Sequence, residues 1–183
     1  MTYNPDIHQR RSIRLKEYDY SQPGLYFITI CAKDRENLFG QIENGKMILN
    51  VLGEIVRNEW LKTAEIRNNV ELLEYIIMPN HIHGIIHIVN KSTLGAHSNV
   101  PLLQQKRQTE QFGKSTKNSI PTIVKLFKST VTKHINVFRK SPGEPVWQRN
   151  FYEHIIRNEK SYHHIAEYIR NNPMTWQDDS YFE

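Results

Sequence analysis

Two apolar runs rich in β-branched residues, VELLEYIIM (70–78) and HIHGIIHIV (81–89), follow one another with only Pro79-Asn80 between them. Runs of this length and composition are typical of buried strands, and a Pro-Asn pair favours a turn or a bulge. We therefore expect two neighbouring strands near the centre of a sheet. We expect the remaining elements of the chain to pack against this sheet.

The remaining periodic segments predict further strands and three helices. Asn44-Gly45 is the strongest short hairpin signal in the chain, because a type I′ turn requires positive φ at both central residues. The other predicted strands are LYFITICA (25–32), 37–43, 46–49 and the extended segment VWQRNFYEHII (146–156). Apolar residues at helical spacing predict helices over about 51–67, 120–138 and 159–172. This order predicts an α+β fold, with helices packed on a mostly antiparallel sheet.

Length and cysteine content limit the domain organisation and the compartment. A chain of 183 residues is typical of one domain, and its single cysteine, Cys31, excludes an intramolecular disulfide. We expect a cytoplasmic protein that does not enter a membrane, because there is no secretion signal and no run of about 18 apolar residues. The prediction is a single domain over 1–183, with a basic N-terminal arm (1–20) and a flexible insertion at about 90–119.

The net charge of +5 is suited to a polyanionic partner. Many basic proteins bind no nucleic acid, so the charge alone does not identify the partner. In the N-terminal arm, Arg11 and Arg14 are candidates for contacts with phosphates. A solvated tail explains the same residues equally well.

The clearest candidate metal ligands are His81 and His83. On a strand, side chains alternate between the two faces, so both imidazoles lie on one face while Ile82 points to the other, toward the core. Two neutral imidazoles in this arrangement can bind one divalent ion, with a third ligand from another element. The alternative is a pair of ordinary strand histidines, since His-x-His also occurs by chance in a chain with nine histidines.

Three segments carry a resemblance to a known family. YIIMPNHIHGII (75–86) resembles the HUH motif of the single-tyrosine transposases, and PGLYFIT (23–29) resembles their first strand. VWQRNFYEHIIRNEKSYHHIAEYIRNNP (146–173) is similar to the C-terminal block of the REP-associated tyrosine transposases and their insertion-sequence relatives. The resemblance implies a ferredoxin-like HUH endonuclease core, a divalent metal, Mg²⁺ or Mn²⁺, and hairpin-bearing single-stranded DNA as substrate. The 90–119 insertion departs from the compact members.

The same resemblance implies that Tyr168, five residues before Pro173, is the catalytic nucleophile. Asn172 lies one helical turn after Tyr168, so it shares a face with the phenol, and its carbonyl oxygen is the predicted third metal ligand. His164, one turn before Tyr168, is the alternative third ligand. Without the resemblance, Tyr168 is better explained as part of the apolar stripe of its helix, with Ile165 and Ile169.

The expected activity is cleavage and rejoining of single-stranded DNA through a 5′-phosphotyrosine. Two alternatives stay open: a non-catalytic protein of the same fold that binds nucleic-acid hairpins, and a metal-dependent hydrolase of another phosphoester. We expect a homodimer. The predicted DNA contacts beyond the arm are Arg149, Arg157, Arg170 and Trp147. Solvated arginines and a core tryptophan are the competing explanation for these four.

Overall fold

The computed structural model describes Leu15 and residues 18–89 and 116–182. Most of the predicted arm and most of the predicted insertion lie outside the described residues, so both stay predictions. The elements are β1 Gly24–Cys31, β2 Gly40–Glu43, β3 Lys46–Leu49, α1 Val51–Glu65, β4 Val70–Ile77, β5 His81–Ile88, α2 Ile120–Arg139, β6 Tyr152–Ile156 and α3 Glu159–Asn171. Short 3₁₀ turns occupy Lys33–Arg35 and Trp176–Asp178.

Four strands form one sheet in the order β4-β5-β1-β6, and all neighbouring strands are antiparallel. The hairpin β2-β3 forms a separate two-stranded sheet. If this hairpin is set aside, the elements as far as β6 follow the β-α-β-β-α-β order of ferredoxin-like folds. The predicted α+β class is confirmed, and the strand that carries the two histidines lies in the interior of the sheet.

The two faces of the sheet are covered by different helices. On one face, Ile82 and Ile86 of β5 lie in the larger core, together with Trp60 of α1 and Phe127 of α2. On the other face, Ile85 packs in a smaller cluster with residues of α3. Because strand residues alternate, His81 and His83 share one face, as predicted, and the structure shows that α3 covers this face.

The helix boundaries follow the capping side chains. The side chains of Asn50, Ser119 and Asn158 accept hydrogen bonds from the first turns of α1, α2 and α3. Asn172 is the C-cap of α3, and Pro173 follows it. No helix in the described part of the chain is long and apolar enough to span a membrane.

Two predicted strands are shorter in the structure. The strand expected over 37–43 begins only at Gly40, since Phe39 is fully buried and its N–H donates to the carbonyl of Pro79. In the segment 146–156, only Tyr152–Ile156 forms a strand of the sheet, and Trp147 makes an isolated bridge to Ala32. Both segments pack against the core in conformations that sheet periodicity does not describe.

Gly84 of β5 allows a close contact between the strand and α1. A Cβ atom at this position would lie 2.5 Å from Cζ2 of the fully buried Trp60. We expect Gly84→Ala to lower the free energy of unfolding by about 1–3 kcal/mol through overpacking, as measured by chemical denaturation. Adding Trp60→Phe should recover part of the loss, and an unchanged stability of the single variant would show that the contact is tolerated.

Candidate metal and nucleophile site

The two histidines are fully buried where β5 begins, directly after the turn that contains Asn80. Their Nε2 atoms face each other at 2.9 Å. The Nδ1 atom of His81 lies 2.8 Å from Oδ1 of Asn80, and that of His83 lies 2.8 Å from Oγ1 of Thr29 on β1. Because an amide oxygen only accepts, His81 Nδ1 carries a proton and its Nε2 offers a lone pair.

Burial determines the protonation of both rings. Removal from water lowers the pKa of His81 to about 4 and that of His83 well below its usual value. For His81 the charge of Asp179 opposes this shift, and for His83 the neighbouring His81 adds to it. Both imidazoles are therefore neutral at pH 7, the form that binds a cation.

These depressed pKa values predict a loss of stability in acid. In the unfolded chain the histidines take up protons near pH 6.5, whereas the folded protein keeps His81 neutral down to about pH 4. Between pH 7 and pH 5 we expect His81 alone to lower the free energy of unfolding by about 2 kcal/mol, measured by denaturation in the presence of a chelator. His81→Gln should flatten this dependence, and the exposed His163→Gln should not. Equal pH profiles for all three proteins would contradict the assignment.

Helix α3 brings Tyr168 to the histidine pair. Its hydroxyl oxygen lies 3.1 Å from His83 Nε2, and the hydroxyl donates to Oδ2 of Asp179 at 3.3 Å. Its side chain lies at the surface, 38% exposed. Partial burial and then the charge of Asp179 raise the pKa of this phenol. The predicted nucleophile and the predicted metal ligands thus lie within one site.

Sequence reasoning missed Asp179. It lies in the segment after α3. One of its carboxylate oxygens, one ring nitrogen of His81 and one of His83 all lie within 4.8 Å of one another. Among the described residues this is the single group of three or more His, Cys, Asp or Glu that could hold a metal ion. The signal for it was the Asp178-Asp179 pair just beyond the C-terminal block, where no periodicity indicated a structure.

The two residues predicted as alternative third ligands lie in different surroundings. Asn172 is fully buried, and its Nδ2 donates to Asp179 Oδ2 at 2.5 Å. Its Oδ1 is buried without a hydrogen-bond partner. His164 is exposed on α3 and lies outside the histidine and aspartate group. A ligand role for either residue stays a prediction.

The C-terminal segment also covers the histidines. The ring of Tyr181 lies 4.7 Å from that of His81, and the ring of Trp176 lies 5.8 Å from it. Asn80 Nδ2 donates to the carbonyl of Tyr181, and the Tyr181 N–H donates to Asp179 Oδ1. The turn before β5 and the end of the chain therefore fix each other and the carboxylate.

The predicted DNA contacts are not equivalent in the structure. Arg149 and Arg157 are exposed on either side of β6. Arg170 is 59% exposed and pairs with Glu74. Trp147 is only 7% exposed and packs against Phe39 and Phe127, the environment of a core residue. The predicted contacts Arg11 and Arg14 lie outside the described residues.

The chain is similar in sequence and in fold to known proteins. No protein-family model matches the chain. An uncharacterized protein of Haemophilus influenzae is 48% identical over 98% of this chain and 97% of its own length. The Putative REP-associated tyrosine transposase of the same species is 26% identical over 85% of this chain and 73% of its own length. A solved structure of a REP-associated tyrosine transposase bound to a REP hairpin aligns with a TM-score of 0.56 and 18% identity, over 91% of this chain and 74% of that one.

Proposed function

Because the chain is similar to REP-associated tyrosine transposases, we propose that it belongs to their family and that it cuts and rejoins hairpin-bearing single-stranded DNA through Tyr168. The observation that carries the proposal is the position of the Tyr168 hydroxyl, 3.1 Å from His83 Nε2 and hydrogen-bonded to Asp179. A phenol beside a preformed group of metal-binding side chains is the arrangement that nucleophilic attack on a phosphodiester requires.

We propose that His81, His83 and Asp179 hold a divalent ion, Mg²⁺ or Mn²⁺. Two neutral imidazoles and a carboxylate can hold a divalent ion, and the carboxylate is the donor that suits Mg²⁺ and Mn²⁺. The choice of these two ions rests on the resemblance to the HUH transposases. Asn172 then holds the carboxylate in place through its Nδ2. When bound, the ion supplies a Lewis acid that polarises a non-bridging oxygen of the scissile phosphate.

The residues of the chain account for the remaining steps. Tyr168 Oη attacks phosphorus, the bond from phosphorus to the 3′ oxygen breaks, and a 5′-phosphotyrosine and a free 3′-OH result. Asp179 Oδ2 accepts the phenolic hydrogen bond and thereby orients the attacking oxygen. Attack by a 3′-OH on the phosphotyrosine later restores a phosphodiester without ATP, because the covalent link conserves the energy of the broken bond. Arg149 and Arg157 are exposed beside β6 and are suited to neutralise backbone phosphates.

The proposal is tested by incubating the protein with hairpin-bearing single-stranded DNA and Mn²⁺. We expect a protein–DNA species that survives denaturing electrophoresis and that disappears when EDTA replaces Mn²⁺. Binding of the same DNA without any covalent species, over a panel of hairpins, would instead support the non-catalytic hairpin-binding protein. Release of cleaved DNA without a covalent species would support a hydrolase.

A further inference from the structure

A β-bulge in the edge strand β4 presents Glu74 to α3. Leu72 pairs with Ile86 and Tyr75 pairs with Gly84, so two residues of β4 stand opposite the single residue between these partners. Leu72 and Tyr75 pack on the larger core, whereas Leu73 packs in the cluster under α3. The extra residue, Glu74, is directed to the same side as Leu73, as bulges often redirect a side chain beside a functional site.

Both oxygens of the Glu74 carboxylate are bound by α3. The hydroxyl of Tyr162 donates to Oε2 at 2.8 Å, and Nη1 of Arg170 donates to Oε1 at 3.2 Å. The hydrogen bond to Glu74 is also the first cause of the raised pKa of Tyr162. Positions 162 and 170 are about two helical turns apart, so one carboxylate binds α3 at two points along its axis. Tyr168 lies between these two positions in sequence.

This connection matters because the apolar contact of α3 is small. Ala166 and Ile169 are the buried residues of this helix, and Tyr162 and Ile165 pack beside them while partly exposed. Since α2 buries seven residues and α3 buries two, apolar packing restrains rotation and sliding of α3 less than that of α2. The Tyr168 hydroxyl nevertheless has to stay about a hydrogen bond's length from His83. We propose that Glu74 is a positioning residue, which holds α3 so that Tyr168 meets the metal-binding side chains. This inference rests on the proposed function of Tyr168.

The test compares Glu74→Ala with Glu71→Ala on the same strand, whose carboxylate pairs with His87 instead. In single-turnover reactions with Mn²⁺ and hairpin DNA, we expect Glu74→Ala to slow adduct formation by about 10- to 100-fold, since a small misplacement of a reacting group is sufficient for that loss. The dissociation constants for hairpin DNA and Mn²⁺ should stay close to those of the wild type. Glu71→Ala should keep the wild-type rate.

Two further variants separate positioning from general loss of structure. Glu74→Gln keeps an acceptor for Tyr162 but loses the charge that faces Arg170, so it should restore part of the rate. The single variant Tyr162→Phe should form the adduct more slowly than the wild type. In the Glu74→Ala background, the same substitution should cause no further loss of rate. A wild-type rate in Glu74→Ala overturns the proposal. Losses of Mn²⁺ affinity and hairpin affinity as large as the loss of rate also overturn it.

Amide hydrogen exchange tests the inference independently of catalysis. In Glu74→Ala, the amides of α3 should exchange faster than in Glu71→Ala, while those of β5 stay protected. If the wild type forms no adduct with any hairpin, the proposed function fails and this measurement alone decides the role of Glu74. Unchanged exchange in α3 then overturns the positioning role.

Discussion

Replacement of Tyr168 by phenylalanine is expected to abolish the covalent protein–DNA adduct, with a loss of more than about 10³-fold in the rate of its formation. The variant keeps the ring that packs edge-on against Phe27 and beside His83. It loses only the oxygen that is 3.1 Å from His83 Nε2. Fold and hairpin affinity should therefore be preserved, and the effect should be confined to the covalent step, as measured by denaturing electrophoresis and a parallel binding assay.

The matched control is Tyr152→Phe. Tyr152 lies on β6 on the same side of the sheet, 42% exposed, and its ring also contacts Phe27 edge-on. Tyr152 therefore matches Tyr168 in exposure, in sheet face and in its contact with Phe27, but it has no contact with the histidines in the described structure. If Tyr152→Phe removed the adduct while Tyr168→Phe retained it, the nucleophile would be Tyr152. The resemblance would then have assigned the nucleophile to α3 when it lies on β6.

The fold could be predicted from the sequence where one period dominates a segment. In 81–89 alternation is strict enough to separate Ile82 from the two histidines, and the structure places them on opposite faces. The helical stripe that begins at Ile120 likewise marks the buried side of α2. Phe39 shows where such reasoning ends, because its N–H donates to the carbonyl of Pro79 and its ring packs against Trp147, both distant in sequence. Contacts of this kind leave no local period.

The site residues likewise differ in whether the local sequence is sufficient to predict them. His81 and His83 lie two residues apart on one strand, so their approach needs no knowledge of the tertiary structure. Tyr168 required the resemblance, since geometry within α3 does not distinguish a nucleophile from a surface tyrosine. Asp179 joins the site only because the C-terminal segment returns to the turn before β5, where Asn80 binds the carbonyl of Tyr181. No pattern in the aperiodic sequence 174–182 predicts that return.

Metal affinity should depend most strongly on the buried histidines. We expect His83→Gln to weaken Mn²⁺ binding at pH 7 by more than about 100-fold, measured by isothermal titration, because loss of a direct ligand exceeds the 10- to 100-fold effect of outer partners. Glutamine is close in size and can still bond to Thr29, so loss of the fold is not expected to cause the change. A midpoint of thermal unfolding near that of the metal-free wild type checks this.

The same titration identifies the third ligand. If Asp179 binds the ion, Asp179→Asn should weaken Mn²⁺ affinity by about tenfold or more, whereas His164→Gln should leave it unchanged, since His164 is exposed and outside the cluster. Asn172→Ala should have a smaller effect, because its Nδ2 only holds the carboxylate. The opposite order, with Asn172→Ala more damaging than Asp179→Asn, would mean that the Asn172 oxygen binds the ion. The orphaned, buried Oδ1 of Asn172 makes this a real alternative, because coordination would supply the partner that it lacks.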